Sequence, residues 1–427
     1  MEQVKRKVTY RIYPSTKQGN KMVEVIRLHQ RLYNAALEQR IDAYRRCGKS
    51  LNYYDQAKEL TQLRAEFPAY AALNAQSEQV TLRRLERAFQ AFFRRVKAGE
   101  AAPGFPRFKA FDRFKGWGYA AHGDGWKFKP NADYVHGTLH LSGVGNLQVR
   151  GRPRFMDQAK SNRDPGQPKT VEIIRKASGK WFASITFATL RPHRASGQAA
   201  VGIDWGTATF VTVVTEDNAQ YLIENPRHFK KYDCQLKKAQ RQLSRKKRGS
   251  KNRSKAKQKL VSCHERLANQ RDNFLHQTSA RILRESRFVA TEALNIKGMT
   301  AHGGAHKKGL NRSILDTSPG KFFALLEFKA ADAGIPYIEI PTRKVKPSQS
   351  CSGCGVVQKK ALSERTHSCA SCGLRLDRDV NAARVILNYA LTGFVTGREP
   401  SSGVEGGVTR PVKHETPPIT ERARQSV

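Results

Sequence analysis

The sequence predicts an α/β protein of several domains. Three observations carry that expectation. The chain has 427 residues and 39 % of them are hydrophobic, enough apolar material for roughly two to four packed domains. Helical periodicity dominates the first hundred or so residues, and short β runs follow. From Ala199 onward, apolar strand-like runs alternate with helical stretches, as in a sheet flanked by helices.

The elements follow in order. Val4 to Tyr13 alternates with period two and is broken at Pro14-Ser15-Thr16, which predicts a strand. Met22, Ile26, Tyr33, Leu37, Ile41 and Tyr44 then recur as one helix face requires. Further helices are expected over Tyr53 to Glu66 and from about Ala75 to Ala98, the latter with Gly99 past its end. The last of these carries an apolar stripe of Leu82, Leu85, Phe89, Phe92, Phe93 and Val96. Its other face holds Arg83, Arg84, Arg87, Arg94, Arg95 and Lys97, either a solvated face or a phosphate-facing one. Between Pro103 and Tyr119, aromatic residues alternate with Arg107, Lys109, Arg113 and Lys115. That mixture suits base stacking with phosphate contacts, and equally a loop pinned into a core by its rings.

From about Gly125 to Leu190 the pattern is β. Strands are expected at Leu139–Gly143, Leu147–Arg150, Val171–Arg175 and Trp181–Phe187, the last two joined by a turn at Ala177-Ser-Gly-Lys180. A small barrel is expected there. The α/β part opens with Ala200-Val-Gly-Ile-Asp-Trp-Gly206, an apolar strand ending at an acid. Phe210–Thr215, Gln220–Ile223, Arg287–Thr291 and Tyr337–Ile340 are further strands, and Lys321–Ala333 is a helix stopped by Gly334. Arg227 to Lys259 holds fifteen Lys/Arg against one acid, with a turn at Arg248–Asn252 between two helices. Residues 396–427 are rich in Pro and Gly and are expected to be disordered.

Charge narrows the function. The chain carries 77 Lys+Arg against 36 Asp+Glu, a formal net charge of +41. Such a chain repels itself unless a polyanion neutralises it, and nucleic acid is the usual one. No apolar run is long enough to cross a membrane, the first fourteen residues lack a signal-peptide core, and seven cysteines are too few for a disulfide framework.

Four of those cysteines form two pairs. Cys351-Ser-Gly-Cys354 and Cys369-Ala-Ser-Cys372 are separated by fourteen residues, and Gly355 and Gly373 follow where a knuckle turns through positive φ. Four soft thiolates in this spacing predict a closed, structural zinc site. Cys47, Cys234 and Cys263 have no such partners.

Acids are scarce, so those at element ends stand out. Asp204 ends one apolar strand and Glu292 another, and Asp377-Arg-Asp379-Val-Asn-Ala-Ala383 opens a helix. Each alone also reads as a turn, surface or N-cap residue. Converging, three carboxylates would repel each other until two Mg²⁺ ions lay between them, the arrangement used in phosphodiester hydrolysis.

Val201-Gly-Ile-Asp204-x-Gly206, Thr291-Glu292-Ala-Leu-Asn-Ile-Lys-Gly-Met299, the four-cysteine ribbon and Asp377-Arg-Asp-Val-Asn-Ala-Ala383 form one ordered set. With Tyr10-Arg-Ile-Tyr-Pro14, Tyr33-Asn34, Pro106-Arg-Phe-Lys109, Arg245–Arg253, His276-x-x-Ser-Ala and Leu310-Asn-Arg-Ser-Ile314, they resemble the TnpB family. Its members are transposon-encoded, RNA-guided nucleases, compact relatives of type V CRISPR effectors. The resemblance spans roughly residues 4–395 and implies an RNase H-like (RuvC) nuclease core with an inserted zinc ribbon. A β-barrel wedge domain interrupted by a helical recognition segment would precede that core. The implied layout is wedge strand 1–15, helical recognition segment 16–120, wedge barrel 121–196, nuclease core 197–345 with its last motif at 377–395, ribbon 346–376 and tail 396–427.

By the same resemblance, Asp204, Glu292 and Asp379 are the catalytic, magnesium-binding triad. Asp379 is preferred to Asp377 because the family's acid stands two before the Asn. Trp205, Thr207 and Ala293 depart from the family's more usual residues without removing a carboxylate. Structural Zn²⁺, two catalytic Mg²⁺ ions and a guide RNA are the implied cofactors. Double-stranded target DNA is the implied substrate, bound by a monomeric ribonucleoprotein in the cytoplasm. Nucleic-acid contacts are expected at Arg83, Arg84, Arg87, Lys109, Arg245, Lys246, Lys247, Arg248, Lys251 and Arg253. A heteroduplex of about 20 base pairs carries about 40 phosphates, the same order as the protein's charge excess. The alternatives are a DNA-binding regulator without cutting, a strand-transfer transposase, and a guide-independent resolvase of branched DNA.

Overall fold

A computed structural model describes residues 3–132, 134–151, 166–190, 197–301, 303–361 and 364–396. The chain divides into two units, Met1–Pro192 with Leu236–Glu265, and His193–Gln235 with Arg266–Val427. Each is taken by itself.

The first unit begins with strand β1 (Gln3–Tyr13) and the 32-residue helix α1 (Thr16–Cys47). Ser15 and Gln18 form a capping box at the start of α1, and Gly48 ends it in the left-handed conformation. The expected face is buried at Met22, Ile26, Tyr33 and Leu37 but surfaces at Tyr44. Helices α2 (Tyr53–Glu66), the one-turn α3 (Pro68–Ala71) and α4 (Ala75–Lys97) follow. The apolar stripe of α4 enters the core only through Leu82, Leu85 and Phe89, while Phe93 and Val96 are exposed. Phe92 meets Phe105 edge-on, so the end of the stripe covers a loop.

Strands β2 (Gly116–Tyr119), β3 (Trp126–Pro130), β4 (His136–Leu141), β5 (Gly145–Arg150), β6 (Gln167–Arg175) and β7 (Trp181–Leu190) join β1 in one antiparallel sheet of order β2-β6-β7-β1-β5-β4-β3. The expected barrel is met in part, as a half-barrel: among the described residues the sheet does not close, because the edge strands β2 and β3 do not pair with each other. Trp117, Trp126, Tyr10 and Phe187 fill its core with the apolar faces of α1 and α4.

The second unit holds a mixed five-stranded sheet. Strands β8 (Ala199–Trp205), β9 (Thr209–Thr215) and β10 (Gln220–Glu224) run antiparallel, and β11 (Ser286–Glu292) and β12 (Tyr337–Ile340) run parallel to β8, in the order β10-β9-β8-β11-β12. Two long helices, α5 (His228–Ser244) and α6 (Lys251–Glu285), precede β11, and their residues 236–265 belong to the first unit. Short α7 (Ile296–Met299), then α8 (Ala305–Thr317), α9 (Pro319–Ala333) and the one-turn α10 (Thr342–Val345) lead to the cysteines. There β13 (Thr366–Ser368) and β14 (Arg375–Asp377) form a two-stranded ribbon, and α11 (Arg378–Thr392) closes the described chain.

Helix α11 packs across β8, β9 and β11. Gly202 makes that approach possible, since a Cβ there would lie 2.2 Å from Ala383 O and 2.7 Å from Leu387 Cβ. The expectation for the tail falls, from residue 397, outside the described residues.

Candidate functional site

The parallel pairing of β8 and β11 sets Thr291 beside Ile203. The next residue of each strand is an acid, so Asp204 and Glu292 stand side by side at the same sheet edge. Carboxyl ends of parallel strands are where α/β sheets place their ligands. The first turn of α11 supplies the third acid. Asp377 caps that helix by accepting from the Asp379 and Val380 N–H groups at 2.9 and 3.2 Å. Its carboxylate is thereby occupied, and Asp379 is left to face other partners. Asp204, Glu292 and Asp379 are all half-buried.

The charges of Glu292 and Asp379 both act on Asp204. Burial first, then the Glu292 and Asp379 charges, pushes the Asp204 carboxyl well above the usual carboxylate range; Asp377 adds to this and Arg378 opposes it. Burial also raises Glu292, against a hydrogen bond from Thr342. The Arg378 and Arg365 guanidinia lie 3.6 and 3.9 Å from the Asp379 carboxylate. Such crowded carboxylates are a hard oxygen donor set of the kind divalent cations bind. They are spread more widely than ligands of one small ion, since among the described residues only the cysteines form a group of three or more ligand atoms that tight.

The cysteine site matches its prediction closely. All four sulfur atoms lie within 4.8 Å of one another, with Cys351 to Cys372 at 3.7 Å and Cys354 to Cys369 at 3.5 Å. The two knuckles repeat one backbone pattern. Gly355 N–H donates to Cys351 O and Gly373 N–H to Cys369 O, and Cys351 and Cys369 donate to Val356 O and Leu374 O. Gly355 and Gly373 have φ of 78° and 71°. Burial raises the Cys351 and Cys354 thiols, while the Cys372 backbone N–H lowers Cys369. Four sulfurs at this spacing fit one tetrahedral zinc ion, which would hold every thiolate deprotonated.

The expected nucleic-acid residues separate into two kinds. Arg245, Lys246, Lys247, Arg248 and Lys251 lie exposed around the turn between α5 and α6, and Arg87 is exposed on α4. Arg83 is exposed too, with its guanidinium over the Tyr53 ring. Arg253 instead donates to Leu243 O and Lys246 O, closing the end of α5. Arg84 donates to Gly116 O and meets Glu172, which ties α4 to β2 and β6. The Lys109 main chain is held from both sides by Asn34, at 2.9 and 3.1 Å. Arg84 and Lys109 also line a cavity of about 440 Å³ with Arg113 and Lys115. The aromatic segment divides in the same way: Phe114, Trp117 and Tyr119 are buried, whereas Phe105 and Phe108 are exposed.

Sequence reasoning missed Arg365 and Thr342, and used Asn381 only as the landmark that singles out Asp379. Nothing in their local sequence marks the first two. Asn381 carried a signal, as a polar residue inside the apolar run that opens α11.

Three family models match the chain. One described as "Probable transposase" covers residues 176–302, one described as "Cas12f1-like, TNB domain" covers 320–386, and one described as "Helix-turn-helix domain" covers 1–49. Residues 3–47 form one strand and one unbroken helix, with no turn between two helices. A "Putative RNA-guided DNA endonuclease" of Streptomyces pristinaespiralis is 31 % identical over 402 residues, covering 93 % of this chain and 92 % of that protein. The "Putative RNA-guided DNA endonuclease InsQ" of Escherichia coli K12 is 29 % identical over 353 residues, covering 80 % and 79 %. Among solved structures, a Cas12f1–sgRNA–target DNA complex aligns at a TM-score of 0.58 with 12 % identity, over 90 % of this chain and 98 % of that one. The mini-RNA-guided endonuclease CRISPR-Cas_phi3 aligns at 0.51 with 10 % identity, over 94 % of both. These structural likenesses speak for the fold, and the sequence identity over nearly the full length decides the family: the chain belongs to the TnpB family of transposon-encoded RNA-guided DNA endonucleases.

Proposed function

We propose that this protein binds a guide RNA and hydrolyses the DNA that pairs with it, at a site built from Asp204, Glu292 and Asp379. One observation carries the proposal. Acids from two adjacent parallel strands and a helix start lie close enough that Glu292 and Asp379 raise the Asp204 carboxyl.

In this reading residues 197–345 and 377–395 are a RuvC-like core and 346–376 its structural zinc ribbon. Residues 1–15 and 121–196 form the wedge, with 16–120 as the recognition segment. Base pairing between guide and target reads the sequence, and the protein grips backbones and a short flanking motif. The exposed cations at Arg245–Lys251 and on α4 supply that grip.

Two Mg²⁺ ions bound by the acids would activate water and stabilise the leaving oxygen of the scissile phosphodiester. The chain's own groups prepare that site. Asp204 and Glu292 are fixed by the sheet register, and Asp379 is held by the first turn of α11, which Asp377 caps. Mutual repulsion keeps the acids poised for cations, because ion binding relieves it. Such a ribonucleoprotein would act in the cytoplasm, where DNA is reached.

The test is to sequence the RNA that copurifies with the protein and to build plasmids matching or mismatching its variable end. Cleavage of matched plasmid only, dependent on Mg²⁺, is expected. Strand joining in place of hydrolysis would favour a transposase, and binding without cutting a regulator.

A further inference from the structure

Asn381 is completely buried in the opening turns of α11, two residues beyond Asp379. Its side chain does not serve its own helix. Oδ1 accepts the Ser352 N–H at 2.9 Å, and Nδ2 donates to Ser350 O at 2.7 Å. Those two groups flank Cys351, so one amide holds the backbone on both sides of the first knuckle cysteine. The knuckle is anchored in turn on its other side. Ser350 Oγ donates to Val345 O at 2.7 Å, and Ser350 N–H donates to Lys346 O at 3.0 Å. Ser350, Ser352 and Asn381 are all buried, so neither amide contact is diluted by water. Further along the helix, Gly202 lets Ala383 and Leu387 lie directly on β8, which leaves the first turn to the Asn381 contacts.

We propose that Asn381 is a positioning residue that clamps the first turn of α11, and with it the Asp379 carboxylate, to the Cys351 knuckle, so that zinc in the ribbon sets the geometry of the cutting site. The proposal rests on the reading of Asp379 as a magnesium ligand. It gives the ribbon a second task beyond holding its own fold. Metal bound by Cys351 fixes the 350–352 backbone, that backbone fixes Asn381, and Asn381 fixes the turn that carries Asp379. A side chain serving packing alone would not make helix order depend on zinc.

The test uses the RNA-bound, zinc-loaded protein with Asn381→Ala. Three quantities are read: hydrogen exchange of the 378–383 amides, the rate of zinc loss to a chelator, and the Mg²⁺ concentration for half-maximal cleavage. Outer-shell partners of metal sites are worth about 10–100-fold in metal affinity or activity. The half-saturating Mg²⁺ should therefore rise by about tenfold or more, with RNA affinity unchanged. Exchange of the first-turn amides and zinc loss should both accelerate. Stripping zinc from the wild type should speed the same amides, and should add little in Asn381→Ala, where the link is already cut.

Asn381→Asp is the second variant. It keeps an oxygen to accept the Ser352 N–H and removes the Nδ2 donor to Ser350 O, and should move all three readouts partway. It decides the matter if Asn381→Ala does not fold. Unchanged exchange and Mg²⁺ dependence in a folded variant, or an equal response to zinc removal with and without Asn381, would overturn the proposal. If Asp379→Ala still cuts DNA, the assignment of the acid fails instead, and exchange still reports on the clamp.

Discussion

Gly202→Ala tests how the site is held together. A Cβ at residue 202 would sit 2.2 Å from Ala383 O, a backbone atom that cannot rotate away. Restoring an ordinary contact needs α11 to move off β8 by about 1 Å, and overpacking of this kind costs about 1–3 kcal/mol. For a unit of roughly 200 residues that is a fall in melting temperature of about 2–12 °C. The same shift carries Asp379 away from Asp204 and Glu292, and a misplacement of about 1 Å costs about 100-fold in rate. The assay is target-plasmid cleavage beside thermal unfolding of the RNA-bound protein. Gly309→Ala is the control, since nothing lies within 4 Å of a Cβ there, in the middle of α8, and alanine is favoured in helices by about 1 kcal/mol. Wild-type cleavage and melting in Gly202→Ala would refute the argument that this glycine sets the distance between helix and sheet.

Other expectations follow from the same geometry. Cys351→Ser should lower bound zinc below one equivalent and reduce the melting temperature; a wild-type chain containing no zinc by metal analysis would contradict the ribbon. The Asp204 carboxyl is raised in the folded state, so its contribution to stability is full below the unfolded pKa and is lost as pH rises through the folded one. Without divalent ions the melting temperature should fall over that rise. Asp204→Asn should reduce the fall and leave the part that the raised Glu292 carboxyl contributes, and Mg²⁺ should stabilise the wild type more at pH 8 than at pH 5. Replacing Lys246, Lys247, Arg248 and Lys251 together by Gln should weaken RNA binding and reduce the slope of log affinity against log salt by about 3, from about 0.7 per single-strand phosphate contact. An unchanged slope would remove the α5–α6 turn from the RNA surface.

Local patterns in the sequence were enough for most elements and for the zinc site. Period two predicted β1, the stripe of α1 predicted its buried face, and Cys-x2-Cys spacing with two following glycines predicted both knuckles. What failed depended on distant partners. The stripe on α4 reads as one face, yet its end covers Phe105 and not the core. Arg84 and Arg253 look like surface cations in sequence, and only the fold supplies the carbonyl groups they cap. The barrel, met only in part, was inferred from strand-like runs, and strand patterns do not say whether edges pair. Strands β2 and β3 were hidden for a related reason: short Gly- and Lys-containing runs become strands through their neighbours. For the acids, spacing named the candidates but could not bring them together. The parallel register of β8 with β11 does that for Asp204 and Glu292.

The central claim is that these three acids cut DNA under the direction of RNA. Its most direct measurement is cleavage of guide-matched plasmid by the purified ribonucleoprotein of wild type and Asp204→Ala in Mg²⁺, with bound RNA quantified in both. The account predicts equal RNA content, cleavage by the wild type, and none by the variant above the level of a metal-free control. Cleavage by Asp204→Ala at the wild-type rate would contradict it.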